Sequence, residues 1–239
     1  MGSKATAKEI KSSRKPANEF YTKLVSQKVS HYFSALFINL GISANTVTFF
    51  MVFFGLPTIA LLLSDNIVLE VIGAFGLIFI NIFDTCDGEV ARFNKKTTQL
   101  GVYLDNIYQF IVDIALLYVL AYKFYFIKDS KLLATIIFFY AIVFIFDNYA
   151  KKVAKSTSKD VAKSGNIKKS STLQFLIHIT STNTFVCHSM WIVFILDYYF
   201  GDIFNSFLIY FSYLFATQML KTLGRQYIYF KQFSTNENL

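Results

Sequence analysis

The chain has 239 residues, 54% of them hydrophobic and only two of them proline, with a mean hydropathy of +0.45. Such a composition excludes an ordinary soluble domain and points to a polytopic membrane protein. The net charge of +8 is read as attraction to anionic headgroups and anionic substrates; nucleic acid is not expected as a partner, because an apolar bundle with short loops leaves little surface for it.

Residues 1–16 are polar and basic and read as a disordered N-terminus. The start Met1-Gly2-Ser3-Lys4 lacks an apolar core, so no cleavable signal peptide is expected. Over residues 17–41, Val25, Val29, Tyr32, Phe33, Leu36, Phe37 and Leu40 recur at helical spacing, with Lys23, Gln27, Lys28, Ser30 and Ser34 on the other face. This pattern predicts an amphipathic helix in the membrane interface, ended by Gly41. Six apolar stretches follow, each near the ~20 residues that a spanning helix needs: Thr46 to Leu63, Ile67 to Phe83, Leu104 to Tyr122, Leu132 to Asn148, Thr184 to Phe200 and Phe204 to Leu223. The fold class is therefore an all-α membrane protein of six transmembrane helices plus the N-terminal interfacial helix. Residues 42–223 form the transmembrane catalytic domain, and 224–239 a cytoplasmic tail. Strands are not expected, since lipid tolerates no open sheet edge. Lys151 to Lys169, rich in Ser, Lys and Gly, reads as a solvated connector.

Basic residues set the orientation. Of the 23 Lys and Arg, seven precede the first span, three (Arg92, Lys95, Lys96) lie between the second and third, seven fall in 151–169, and three (Lys221, Arg225, Lys231) lie at or beyond the end of the last span. Only Lys123, Lys128 and Lys131 lie on the other side. The positive-inside rule then predicts a multi-pass cell-membrane protein with both termini in the cytoplasm.

The chemistry concentrates between Asp84 and Gln109: Asp84-Thr85-Cys86-Asp87-Gly88-Glu89-Val90-Ala91-Arg92, eight residues, then Gly101, Asp105 and Gln109 at intervals of four. Asp84 and Asp87 share a helix face, and Gly88 and Ala91 carry almost no side chain, so a nucleotide or a second backbone can come close. If the second and third spans pack antiparallel, Asp84, Asp87 and Asp105 converge. Hard carboxylate oxygens suit Mg²⁺ or Mn²⁺ held with substrate phosphates, and Arg92 can neutralise a phosphate. Carboxylates at a membrane rim are functional sites by default; the bland alternative is an interfacial ion-pair cluster.

This run resembles the signature of the CDP-alcohol phosphotransferase (phosphatidyltransferase) family, D-x-x-D-G-x-x-A-R, eight residues, G-x-x-x-D-x-x-x-D, with every fixed position present except the last, which is Gln109. The resemblance implies transfer of a substituted phosphate from a CDP-linked donor, CDP-diacylglycerol or a CDP-alcohol, to a hydroxyl acceptor, with CMP released, in phospholipid or polar-lipid synthesis. It implies that Asp84, Asp87 and Asp105 hold a pair of Mg²⁺ or Mn²⁺ ions, and that Gly88, Ala91, Arg92 and Gly101, with Asn45 and Thr48 as neighbours, line the nucleotide pocket. It also implies a lipid or polyol-phosphate acceptor, and a homodimer, for which no face is visible. Gln109 stands where the family keeps the aspartate assigned as general base. A neutral amide accepts no proton. The base is then Asp113 one turn on, the acceptor hydroxyl is acidified by metal or by the acceptor's own phosphate, or the chain binds CDP-alcohols without turnover.

The remaining polar residues have plainer readings. Asp147 reads as an interfacial charge, His178 and His188 as packing histidines, and Cys86 as a small filler, because Mg²⁺ prefers oxygen. Neither Cys86 nor Cys187 belongs to a disulfide framework or a metal-pair spacing.

Overall fold

In hydrocarbon every backbone N–H and C=O must be paired within its own segment, and the chain responds by folding as helix. The structure is a computed structural model that describes residues 5–14, 20–157, 183–201, 203 and 205–236; no strand occurs among them. In chain order the helices are α1 (Ala7–Ser13), α2 (Gln27–Asn39), α3 (Ala44–Ala60), α4 (Ile67–Phe93), α5 (Gln99–Tyr122), α6 (Lys131–Thr157), α7 (Asn183–Phe200) and α8 (Ser206–Asn236). A π-helical turn, Thr22–Ser26, leads into α2; a 3-10 turn, Leu61–Leu63, ends α3; and a second π turn, Lys123–Ile127, follows α5.

Four segments are long and apolar enough to cross a bilayer: Ala44–Leu63, Ile67–Phe93, Gln99–Ile127 and Lys131–Ala154. The fifth expected span coincides with a shorter apolar helix, Phe185–Phe200. The sixth falls in α8, whose buried face carries Gln218, Lys221, Thr222 and Arg225; these polar groups dilute its apolar character.

Several boundaries differ from the expectation, for local reasons. Ala7–Ser13, expected to be disordered, is a helix started by a capping box: Thr6 accepts from the Glu9 N–H while Glu9 accepts from the Thr6 N–H. It is held by Ile10, which is fully buried, and by a reciprocal pair in which Ala5 N–H donates to Asn39 Oδ1 and Asn39 Nδ2 donates to Ala5 O. α4 does not stop at Phe83 but runs through the whole acidic motif to Phe93. α6 continues to Thr157, so the first part of the expected connector is helical; the rest of that stretch lies outside the described residues. Residues 224–236, expected as a tail, are the last turns of α8.

The chain divides into two units, Met1–Leu120 with Asn183–Tyr199, and Ala121–Thr182 with Phe200–Leu239. In the first, α4 packs against α3 on one side and α2 on another, around a core of Phe37, Val47, Ile82, Cys86 and Val90. α2 turns Ser30, Ser34 and Phe37 inward, with Ser26 of the preceding turn also fully buried, while Val29, Tyr32, Leu36 and Leu40 are exposed. Gly41 ends the helix at φ +72°, a left-handed conformation that glycine adopts without a Cβ clash.

In the second unit α6 packs on α8. Asp147, expected at an interface, is 1% exposed. It accepts from Arg225 Nη1 and Gln218 Nε2, Lys151 lies 3.1 Å from it, and Lys221 adds a further nearby positive charge. The burial has a local cause: α8 returns cations and an amide to that level of α6, so the carboxylate is compensated inside the packing instead of by water.

Candidate active site

α4 builds most of the site. Its cytoplasm-expected end repeats Asp84, Asp87, Gly88, Ala91 and Arg92 along one helix face, because residues three and four apart stack on a 3.6-residue period. α3 supplies Asn45 and Thr48 from its first turns, started by Ser43, whose hydroxyl accepts from the Thr46 N–H at 3.2 Å. α5 supplies Gly101 and Asp105, and its start is capped by Thr98 Oγ1, which accepts from the Gly101 N–H at 3.0 Å.

These three helix ends enclose a cleft of about 200 Å³ whose walls include Asn45, Thr48, Asp87, Gly88, Ala91, Arg92, Gly101 and Asp105. Asp87 is buried, and Thr48 Oγ1 donates to its Oδ2 at 2.7 Å. Thr48 thus holds a carboxylate as well as lining the cleft. Gly88 and Gly101 are places of close approach. A Cβ on Gly88 would lie 2.9 Å from Arg92 Nη1, and one on Gly101 would lie 3.3 Å from Asn45 Oδ1. Asp105 is close enough to Asp84 and Asp87 for their carboxyls to interact, and its Oδ1 is buried without a hydrogen-bond partner.

Asp84 also lines a second, small cavity of about 20 Å³, together with Asn81, Gln109, Asp113 and Cys187. That volume holds about one water. The expected site residues are therefore divided: the nucleotide set, Asp87 and Asp105 on the cleft, and Asp84, Gln109 and Asp113 on the small cavity. Asp113 is buried. Cys86 is a fully buried core residue whose thiol donates to Ser30 O at 3.4 Å, which agrees with its reading as filler. His188 is buried and stacks on Tyr21; His178 lies outside the described residues.

Sequence reasoning passed over Lys96 and Thr98, which border this cleft and a neighbouring one of about 420 Å³ under the α2–α3 turn. The available signal was Thr98 as the N-cap residue three before Gly101.

A divalent ion is the group the family signature implies. Among the described residues no three His, Cys, Asp or Glu side chains close into a metal-binding group by themselves. The donors nevertheless fit: Asp84, Asp87 and Asp105 offer hard oxygens, one of them a buried orphan, beside a cleft where phosphates can complete the shell. Mg²⁺ is normally held in that way, by one or two carboxylates plus substrate oxygens.

The profile of CDP-alcohol phosphatidyltransferases matches residues 41–218, from the α2–α3 turn into α8. The chain belongs to that family. No individual curated protein matches it. Members transfer a phosphatidyl-type group from a CDP-alcohol to an acceptor, and the family is one of membrane transferases; the four apolar helices found here accord with that.

Proposed function

We propose that this chain is an active transferase, moving a substituted phosphate from CDP-diacylglycerol or another CDP-alcohol to a hydroxyl acceptor, with CMP leaving, in phospholipid or polar-lipid synthesis. One observation carries the reading: side chains from three separate stretches, Asn45/Thr48, Asp87 to Arg92 and Gly101/Asp105, line a single cleft. The family match, which spans all three stretches, supports reading that cleft as the donor site.

In this reading Gly88 and Ala91 keep the floor low enough for the nucleotide, and Arg92 meets a phosphate oxygen. Thr48 orients Asp87, and Asp84, Asp87 and Asp105 are the ligands for Mg²⁺ or Mn²⁺. When bound, the ions neutralise the diphosphate and stabilise the attacking and leaving oxygens. Gln109 orients without accepting a proton, and Asp113, on the same small cavity, takes the proton of the acceptor hydroxyl. A general base contributes about 10²–10⁴-fold, so an imperfect one slows the reaction without ending it.

The proposal extends to the surroundings: six spans with both termini and the cleft in the cytoplasm, α2 in the interface, a single transmembrane domain over residues 42–223, and a homodimer. The acceptor is a lipid alcohol or a polyol phosphate.

The test is CMP release by the purified protein with Mg²⁺ or Mn²⁺, using CDP-diacylglycerol and soluble CDP-alcohols with mixed acceptors, alongside Gln109→Asp. Turnover by the unaltered chain is expected. CDP-donor binding without turnover, cured by Gln109→Asp, would establish the alternative of a catalytically impaired binding protein, which Gln109 favours.

A further inference from the structure

Glu89 lies two residues after Asp87, about 200° around α4 and so away from the cleft, and it is 1% exposed. Ser30 Oγ donates to its Oε1 at 2.8 Å and Ser34 Oγ to its Oε2 at 2.7 Å. Both serines come from α2, whose serine stripe is buried while Val29, Tyr32, Leu36 and Leu40 face outward.

α2 carries apolar side chains on both flanks of its serines, Phe33 and Phe37 packing on Phe83 of α4 and Val29, Tyr32, Leu36 and Leu40 facing outward, so hydrophobicity alone does not fix which flank turns to α4. A buried carboxylate is moreover a poor device for adhesion, since burying a charge costs several kcal/mol and an apolar replacement is often neutral or stabilising. What a carboxylate does well is choose one arrangement: with Glu89 on α4, packing by the outward flank would leave it facing apolar side chains without donors.

The rotation of α2 matters for the cleft because its end leads directly into it. Gly41 N–H donates to Ile38 O at 3.0 Å and Ile42 N–H to Phe37 O at 2.8 Å. That turn delivers Ser43 to α3 and sets Asn45 beside Gly101, with Ile38 and Gly41 lining the adjoining cleft.

We propose that Glu89 is a positioning residue: by accepting from Ser30 and Ser34 it selects the rotation of α2 on α4, and so places the Asn45 end of the donor cleft. The part about the cleft rests on the transferase reading above; the part about rotation stands without it.

The test uses the full chain in detergent, carrying Leu36→Cys as a reporter, since Leu36 is exposed whereas Cys86 and Cys187 are buried. Glu89→Met and Glu89→Gln are compared with the parent for melting temperature, maleimide labelling at position 36, and CMP binding by calorimetry. In Glu89→Met the melting temperature is expected to hold, labelling at position 36 to slow as the apolar stripe turns inward, and CMP affinity to fall about tenfold, the loss of roughly one well-placed hydrogen bond. Glu89→Gln, which still offers an acceptor, should lie nearer the parent. If Glu89→Met fails to fold, Glu89→Gln combined with Ser30→Ala/Ser34→Ala removes the same hydrogen bonds without stranding a buried charge, and its labelling and CMP affinity are read in the same way. Unchanged labelling and CMP affinity in the folded variant would overturn the proposal. So would losses of CMP binding that merely track the unfolded fraction. A parent that binds no CMP, with labelling still slowed by Glu89→Met, would remove the transferase reading while sustaining the rotation.

Discussion

Replacing Gly88 by alanine separates folding from binding in the cleft. Gly88 lies within α4, where alanine is favoured over glycine by about 0.5–1 kcal/mol. The added Cβ would meet Arg92 Nη1 at 2.9 Å, Nη2 at 3.3 Å and Cζ at 3.5 Å, and nothing else crowds it. The obstacle is thus the far end of a flexible side chain, which can swing away cheaply. The fold should be as stable as before or slightly more so, with no fall in melting temperature. The guanidinium, however, leaves its place over Gly88, and the cleft floor rises. A hydrogen bond to a charged group contributes about 1.5–3 kcal/mol, so KM for the CDP donor should rise on the order of 10- to 100-fold. Thermal melting and donor-dependent CMP release on the same preparation decide it. A melting temperature that drops by many degrees would mean that Gly88 serves packing, and an unchanged KM would mean that Arg92 does not meet the donor.

Three further expectations follow from the same geometry. Asp84→Asn and Asp87→Asn should each abolish metal-dependent CMP release while the protein stays folded; normal turnover in both would refute the metal-ligand assignment. Thr48→Val removes the 2.7 Å bond to Asp87 together with the hydroxyl's 3.1 Å bond to Ala44 O within α3 and keeps the shape, so the Mn²⁺ half-saturation for CMP release should rise about tenfold, a hydrogen bond to a charged group being worth about 1.5–3 kcal/mol; no change would reduce Thr48 to a wall residue. In the second unit, Arg225→Ala leaves the buried Asp147 undercompensated and should destabilise by about 3–5 kcal/mol. Lys151→Ala removes a cation with 40% of its side chain exposed and should cost about 1 kcal/mol or less; equal shifts in denaturant midpoint would contradict this division.

Much of the molecule was legible in the sequence because its signals are local. Apolar stretches near bilayer length predicted helices, and four of them meet the length and hydropathy of a span. The three- and four-residue intervals among Asp84, Asp87, Gly88, Ala91 and Arg92 place them on one face whatever the fold, and the fixed spacing to Gly101 and Asp105 carried the family resemblance that the profile match bears out. Gly41 as a stop and Cys86 as filler needed nothing beyond residue type and position.

What the tertiary structure decided depends on groups far apart in the chain. Whether α2 turns its serines or its leucines inward depends on Glu89, 55 residues beyond Ser34, and periodicity is the same either way. Asp147 is buried rather than interfacial because Arg225, 78 residues on, reaches it. Ala7–Ser13 is helical because Ile10 and Asn39 give a marginal, capped segment a surface to dock on, where a helix of that length alone would not persist. The placing of Gln109 and Asp113 on a cavity apart from the nucleotide cleft is likewise invisible to spacing along α5. Periodicity assigns a residue to a helix face; only the packing partner decides what that face meets.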